Sequence, residues 1–491
     1  MPTKPYSLSK SRYMKGMQCH KALWLATHKP ELREESEAAT EAFAQGHKIG
    51  DLAQDIFPGG MFIPFDDLGF DKQLQRTKRA LITHKVVYEA AFMHNGVFVK
   101  ADILRKVRGG WEQYEVKGSS KIKDIYLEDT AVQYHVITGA GLTITKAYLV
   151  HLNSSYLHKG ELDLNELFTR HNITDEVLAR QAAVKKEIAS QKRMLKGNMP
   201  AIAIGPWCKD PYECDFICHC WKNVPDDSVF ELAGKGIDTF DLYHQGIKKL
   251  KDIPLNLLKG KQLQQVQVAR SKKTVVDKKA LRDFLDTLRY PLYFLDFETF
   301  VEGIPSYDGM KPFQQVPFQY SLHWQKQPGG KLYHTDYLAQ PGIDPRKEIA
   351  GQLLKDIPAN SCVVAYWKSF EASRIKELAA LFPAKKKRLL SIIDNMVDLI
   401  DPFKARHLYS WQQKGSHSIK AVLPAFVKGM SYEDMEIGDG GAAMEAYRRM
   451  CEYADQPKEL AKVRANLLEY CKQDTLAMVK LLEVITDKAG K

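Results

Sequence analysis

The apolar run Tyr293-Phe294-Leu295 passes into the alternation Asp296-Phe297-Glu298-Thr299, a pattern that predicts a strand with both carboxylates on one face. Like charges held that close repel unless a cation lies between them or one takes up a proton, and a divalent metal is the simplest solution. Helical spacing replaces alternation near the C-terminus. Within 461–485, Leu467, Leu468, Tyr470, Cys471, Met478, Leu481 and Val484 recur at helical intervals, which puts Tyr470 and Asp474 on one helix face. Between these segments lies the run from Val363 to Glu371.

The N-terminal half repeats the theme. The segment from Gly96 to Leu104, rich in β-branched and aromatic residues, predicts a strand with Asp102 near its end. Tyr114-Glu115-Val116-Lys117 predicts a second, with Glu115 and Lys117 on the same side. Gly109-Gly110 provides a turn, so the two form a hairpin that gathers Asp102, Glu115 and Lys117. Gln133 follows in a helical stretch from Leu127 to Thr138.

Cysteine sharpens the picture. Of eight, four stand as Cys208, Cys214, Cys218 and Cys220, and Cys19 lies far upstream. Met1 to Lys15 is polar and basic, with no secretory signal or long apolar span, so the expectation is a cytoplasmic chain without a membrane segment. Clustered cysteines in that setting indicate metal binding over disulfides. Cys218 is expected as a buried free thiol or, with His219, a spare ligand; Cys362, Cys451 and Cys471 are expected in the core.

At 491 residues, 44% hydrophobic and 10% aromatic, the chain has the composition of an ordinary soluble protein of two or three domains. A net charge of +11 favours a polyanionic partner, with lysine runs at 117–123, 248–251, 272–273 and 385–388 as candidate phosphate contacts. No strand-to-helix glycine fingerprint supports a dinucleotide-dependent redox enzyme. Carboxylates so placed suit two-metal hydrolysis, in which two metals roughly 3.5 to 4 Å apart activate a water and stabilise a leaving oxygen. Oxygen ligands favour Mg2+ or Mn2+ over zinc.

In chain order, Asp296-x-Glu298, the segment from Val363 to Glu371, and Tyr470-x-x-x-Asp474 resemble the three motifs of DnaQ-like 3′ to 5′ exonucleases of the ribonuclease H-like fold. The resemblance implies Asp296, Glu298, Glu371 and Asp474 as metal ligands and Tyr470 as the group that orients the attacking water. The family usually has an asparagine near Trp367 and an aspartate at Glu371, and Asp398 is the alternative third ligand. The run from Gly415 to Pro424, with Tyr432 and Asp439-Gly440, also resembles this domain.

Asp102 with Glu115-x-Lys117 resembles the core of PD-(D/E)xK nucleases, in their RecB-like branch. That implies metal binding by Asp102 and Glu115, with Lys117 stabilising charge on the scissile phosphate. His47 matches the metal-binding histidine of a preceding helix, and Gln133 the glutamine after the lysine motif; Ile137 stands where a tyrosine is usual. RecB-like nucleases of the CRISPR-adaptation and AddB types bind an iron-sulfur cluster through one cysteine before the core and three after it. The likeness implies a 4Fe-4S cluster on Cys19, Cys208, Cys214 and Cys220, with zinc, which also accepts four thiolates, as the alternative.

Together the halves resemble a bacterial family that fuses a RecB-like nuclease to a DnaQ-like domain. The expected class is α/β: a restriction-endonuclease-like domain over 1–224, a helical linker over 225–277 in which 237–250 could serve as a DNA contact or a plain spacer, and a ribonuclease H-like domain over 278–491. The expected function is a metal-dependent nuclease with two active sites, acting on DNA ahead of RNA. The alternative is a non-catalytic nucleic-acid-binding scaffold.

Overall fold

The structure, a computed structural model, describes residues 8–34, 37–64, 69–453 and 455–490, without the side chains of 37–44. Met1 to Ser7 of the polar N-terminal stretch, and the side chains of Glu41 to Ala44 in the segment carrying His47, lie outside the described residues. The protein is mixed α/β and divides into two units. The first comprises 1–223 with 302–313, and the second 224–301 with 314–491. No helix among the described residues is long and apolar enough to cross a membrane.

In the first unit, β1 (Val86–His94), β2 (Val97–Val107) and β3 (Gly110–Lys117) form an antiparallel meander. The β2–β3 connection turns through Gly109 at φ 89°, a left-handed conformation that glycine adopts without strain. β4 (Ile144–Leu152) then pairs parallel to β3, and β5 (Phe168–Asn172) antiparallel to β4. A parallel pair needs a crossover, supplied here by a helix. The helices that position the site are α1 (Lys10–Gln18), α2 (His20–His28), α3 (Glu37–Gln54), the crossover helix α4 (Asp124–Gly139), α5 (Thr174–Leu195) and the short α6 (Ile217–Trp221).

Both faces of this sheet are covered. Val97, Val99 and Ala101 pack with Tyr13, Val132, Val136 and Val184 on one face; Ile103, Tyr114 and Val150 pack with Ile49 and Ala53 of α3 on the other. Alternation along β2 therefore changes face between Ala101 and Ile103, and along β1 between Tyr88 and Ala90. Tyr88 pairs with Ile103 and Ala90 with Ala101, so Glu89, at φ 54°, stands opposite Asp102 at the break.

The second unit carries a five-stranded sheet. β6 (Leu292–Val301), β7 (Gln315–Gln325) and β8 (Leu332–Leu338) are antiparallel neighbours; β9 (Cys362–Ala365) and β10 (Met396–Asp398) add parallel on the other side of β6. The order is β8-β7-β6-β9-β10, with β6 central. Tyr293, Leu295 and Phe297 pack with Ile349, Leu353 and Ile375 on one face. The opposite face, where Asp296 and Glu298 point, meets the long helix that ends the chain. The helices used below are α7 (Lys368–Leu381), α8 (Ile419–Phe426), α9 (Gly440–Glu452) and α10 (Pro457–Ala489). The segment 225–277 belongs to this unit and has its own small core of Val229, Leu232, Leu242, Leu250, Ile253 and Val266. Within 237–250 the one helix is Thr239–His244.

Candidate functional site

Asp296 and Glu298 sit two residues apart on the central strand, and α10 lays Tyr470 and Asp474 across them. With Glu371 from α7 and Lys420 from α8, they line one open cavity. Glu298, Glu371, Tyr470 and Asp474 are all buried. Burial, then Asp474 and Glu298, push the Asp296 carboxyl well above its usual range; burial and Asp474 do the same to Glu298, against the pull of Lys420. Burial raises Glu371 to about 8 and Asp474 to about 6. Tyr432 donates to Asp474 Oδ1 at 2.6 Å, and with Tyr470 and Lys420 this favours the ionised form.

Four carboxyls gathered on one cavity, with burial opposing the charge of each, have the donor chemistry that a divalent cation would require. Two further observations fit a divalent ion. Glu371 Oε2 is buried without a hydrogen-bond partner. Asp296, Glu298 and Cys471 place ligand atoms within 4.8 Å of one another. The Cys471 thiol is buried and its pKa raised by burial and by Asp296, so the carboxylates are the competent donors. Tyr470 is likewise pushed up by burial and Asp474, and so cannot serve as a base.

Asp398 has a different role. Its Oδ1 and Oδ2 accept the backbone N–H groups of Trp367 and Lys368, each at 2.9 Å, and Oδ1 also accepts from Ile400. Asp398 thus caps the start of α7 and is absent from the cavity lining, whereas Glu371, in the first turn of that helix, faces inward.

In the first unit Leu8-Ser9 pairs with Val97-Phe98 and the Ser9 hydroxyl caps α1, which sets Lys10 beside the β2–β3 hairpin. The Val116 N–H donates to Asp102 Oδ2 at 2.7 Å. Lys117 Nζ lies 2.7 Å from Glu115 Oε1 and 2.5 Å from Asp129 Oδ2, and Lys10 Nζ lies 3.0 Å from Glu115 Oε1 and 3.3 Å from Asp129 Oδ1. Gln133 donates to Glu115 Oε2 at 2.6 Å and to Asp129 Oδ1 at 3.1 Å. Burial, then Asp102, lift Glu115 to about 7, while Lys10 and Lys117 pull it down. Burial opposes the charge on Asp129, but the two lysines outweigh it and hold the carboxyl below its usual range. Burial also raises Asp102, with Glu89 adding to it.

His47 is exposed on α3. That helix crosses the end of β3 closely: a Cβ on Gly118 would lie 3.1 Å from Ile49 Cδ1 and 3.7 Å from the Cα of Gly46, the neighbour of His47.

Cys19, at the α1–α2 junction, and Cys208, Cys214 and Cys220 line one small, mainly apolar cavity with Ala22, Ile202, Ile204 and Phe216. Cys218 departs from expectation. It is exposed, because on α6 two residues turn it about 200° from Cys220, which faces the cavity. Cys451 is also exposed, since α9 turns its neighbour Met450 into the core instead. Cys362 and Cys471 are buried as expected.

Sequence reasoning assigned no role to Lys10, Glu89, Asp129 or Lys420, and named Tyr432 without one. Asp129 carried a weak signal, standing four residues before Gln133 on the same helix. Nothing distinguished Lys10 from other lysines, whereas Lys420 stood inside the run from Gly415 to Pro424 that resembles the C-terminal domain.

Residues 293–418 match a family described as "Domain of unknown function (DUF2779)". The match takes in Asp296, Glu298 and Glu371 and stops before Lys420 and Asp474. The chain is similar to "Uncharacterized protein MG366" of Mycoplasma genitalium, 28% identical over 215 residues, which are 40% of this chain and 32% of that protein. It is similarly 28% identical over 212 residues to the "Uncharacterized protein MG366 homolog" of Mycoplasma pneumoniae, with the same coverage of each. To "Uncharacterized protein UU173" of Ureaplasma parvum it is 26% identical over 219 residues, 40% of this chain and 31% of that one. The chain thus spans about a third of the length of these curated relatives.

Proposed function

We propose that the protein is a cytoplasmic, metal-dependent nuclease with two active sites, the second a 3′ to 5′ exonuclease. The observation that carries this reading is the convergence of Asp296, Glu298, Glu371 and Asp474, from a central strand and two helices, on one open cavity with burial opposing their charge. The strand order of the second unit, three antiparallel strands followed by two parallel ones with the first strand central, supports a ribonuclease H-like domain. In the first unit, an antiparallel meander, a crossover helix and a parallel fourth strand, with Asp102, Glu115 and Lys117 at the hairpin end, support a restriction-endonuclease-like domain.

Mg2+ or Mn2+ bound by the carboxylates would supply an activated water and stabilise the leaving oxygen. The chain's own groups do the rest. Tyr470 and Tyr432 fix the Asp474 carboxylate, Lys420 offers a positive charge at the cavity edge, and Lys117 offers one at the other site. The four cysteines around one apolar cavity suit a 4Fe-4S cluster, with zinc as the alternative, that ties α1 to the segment after α5.

The test is cleavage of end-labelled single-stranded DNA and RNA with Mg2+ or Mn2+ by wild type, Lys117→Ala, Asp296→Ala and the double variant. Each single change should remove a different part of the product ladder, and the double should abolish it. Binding without cleavage in wild type would favour the scaffold reading.

A further inference from the structure

Trp367 is unusual in both backbone and exposure. It precedes α7 at φ 78° and ψ 54°, a left-handed conformation that a bulky side chain rarely adopts. Asp398 holds it there by accepting the Trp367 and Lys368 N–H groups. Strain of this kind persists where the surroundings over-determine it, and it clusters at ligand clamps. The conformation presents the indole to solvent: Trp367 is 49% exposed while it lines the same cavity as Asp296, Glu298, Glu371 and Asp474.

The surroundings are aromatic and cationic. His417 stacks on Trp367 with ring centroids 5.9 Å apart and planes 14° from parallel, and Tyr366 anchors the His417 carbonyl at 2.6 Å. Lys404 Nζ lies 5.5 Å from the centre of the indole. Burial, with Lys404, Lys261 and Arg406 around it, lowers the His417 pKa, which favours the uncharged imidazole as a stacking surface. Lys404 and Lys261 are exposed, and Lys261 Nζ is tied to the Lys404 carbonyl at 2.7 Å.

A half-exposed indole with Lys404 over its ring and Lys261 tied to the Lys404 backbone, at the rim of a carboxylate cavity, suits what a single strand presents: a flat base and an anionic backbone. We infer that Trp367, backed by His417, is a positioning residue that stacks a base of a single-stranded nucleic acid while Lys404 and Lys261 take its phosphates. The inference rests on the nuclease reading of the same cavity and adds how that site holds its substrate. Because stacking serves every base, it supplies affinity for unpaired strands with little sequence preference. A duplex end, whose bases stack on each other, would engage the ring poorly.

The experiment compares wild type, Trp367→Asn and Trp367→Phe. Asparagine tolerates the left-handed backbone, so it removes the ring without adding strain. Dissociation constants for labelled single-stranded DNA, single-stranded RNA and duplex DNA are measured in EDTA, which holds off metal-dependent cleavage. KM and kcat are then measured with Mn2+ in a Lys117→Ala background. Trp367→Asn should weaken single-strand binding and raise KM by roughly 5- to 150-fold, with kcat within about threefold of wild type and Trp367→Phe restoring much of the loss. Unfolding midpoints within a few degrees would exclude misfolding as the cause. Equal single-strand affinity in wild type and Trp367→Asn overturns the inference even if both cleave. Wild type that binds single strands through Trp367 but cleaves nothing overturns the nuclease reading and leaves the stacking role standing.

Discussion

Lys10 Nζ lies 3.0 Å from Glu115 Oε1 and joins residues 105 positions apart in the chain. Lys117 contacts the same oxygen at 2.7 Å, so two ammonium groups converge on one buried carboxylate while Gln133 occupies its other oxygen. Burial and Asp102 raise Glu115 to about 7, and the two lysines restrain that rise. Glu115 must be ionised to hold a metal. Replacing Lys10 by Met removes one restraint, so the pH at which the N-terminal site becomes active should move up by about one unit. The pH profile of cleavage in an Asp296→Ala background measures this. An acidic limb unchanged by Lys10→Met would show that Lys10 does not set the charge on Glu115.

The cysteines divide by which way they face. Cys19, Cys208, Cys214 and Cys220 line one cavity, and Cys218 points to solvent. On the proposed cluster, Cys208→Ser should abolish the iron and brown colour of an anaerobic preparation and lower the unfolding midpoint by about 10 °C or more, because binding such a cluster would couple to folding. Cys218→Ser should change neither. Stoichiometric zinc in a colourless wild-type preparation would replace the cluster by zinc while keeping the same ligands. Loss of metal from Cys218→Ser but not from Cys208→Ser would refute the ligand set.

Local patterns were legible and long-range pairings were not. The strand carrying Asp296 and Glu298, the hairpin turning at Gly109 and the helix carrying Tyr470 and Asp474 all follow from short-range periodicity, which reports which face of an element is buried. At Asp102 the side chains change face, where Glu89 stands opposite, and nothing in the alternation of apolar residues announces it. Lys10, Asp129 and Lys420 acquire meaning from carboxylates brought near by the tertiary fold. Glu371 was the expected ligand with Asp398 as its alternative; geometry separates them because Asp398 spends its oxygens on the start of α7. Cys218 was misplaced because its short helix gave too little periodicity to tell the inward from the outward position, and Cys451 because Met450, its neighbour on α9, takes the core position instead.

Glu371 links pH, stability and metal in one measurable quantity. Burial raises it to about 8 in the folded protein, while an unfolded chain releases the proton near about 4.3. Between those values the metal-free folded state holds a proton that the unfolded state has lost, so stability is present at low pH and falls as pH rises toward 8. A divalent cation binds the deprotonated carboxylates and opposes that fall. In EDTA the unfolding midpoint of Glu371→Gln should therefore decline less from pH 5 to pH 8 than that of wild type, by several degrees at about 2–4 °C per kcal/mol. His323 and His334, lowered by burial, gain stability over part of this range. Both proteins share them, so they cancel in the difference. Added Mn2+ at pH 8 should raise the midpoint of wild type more than that of the variant. If the two midpoints keep a constant separation across the range, and Mn2+ stabilises both alike, Glu371 neither carries the displaced proton nor holds the metal.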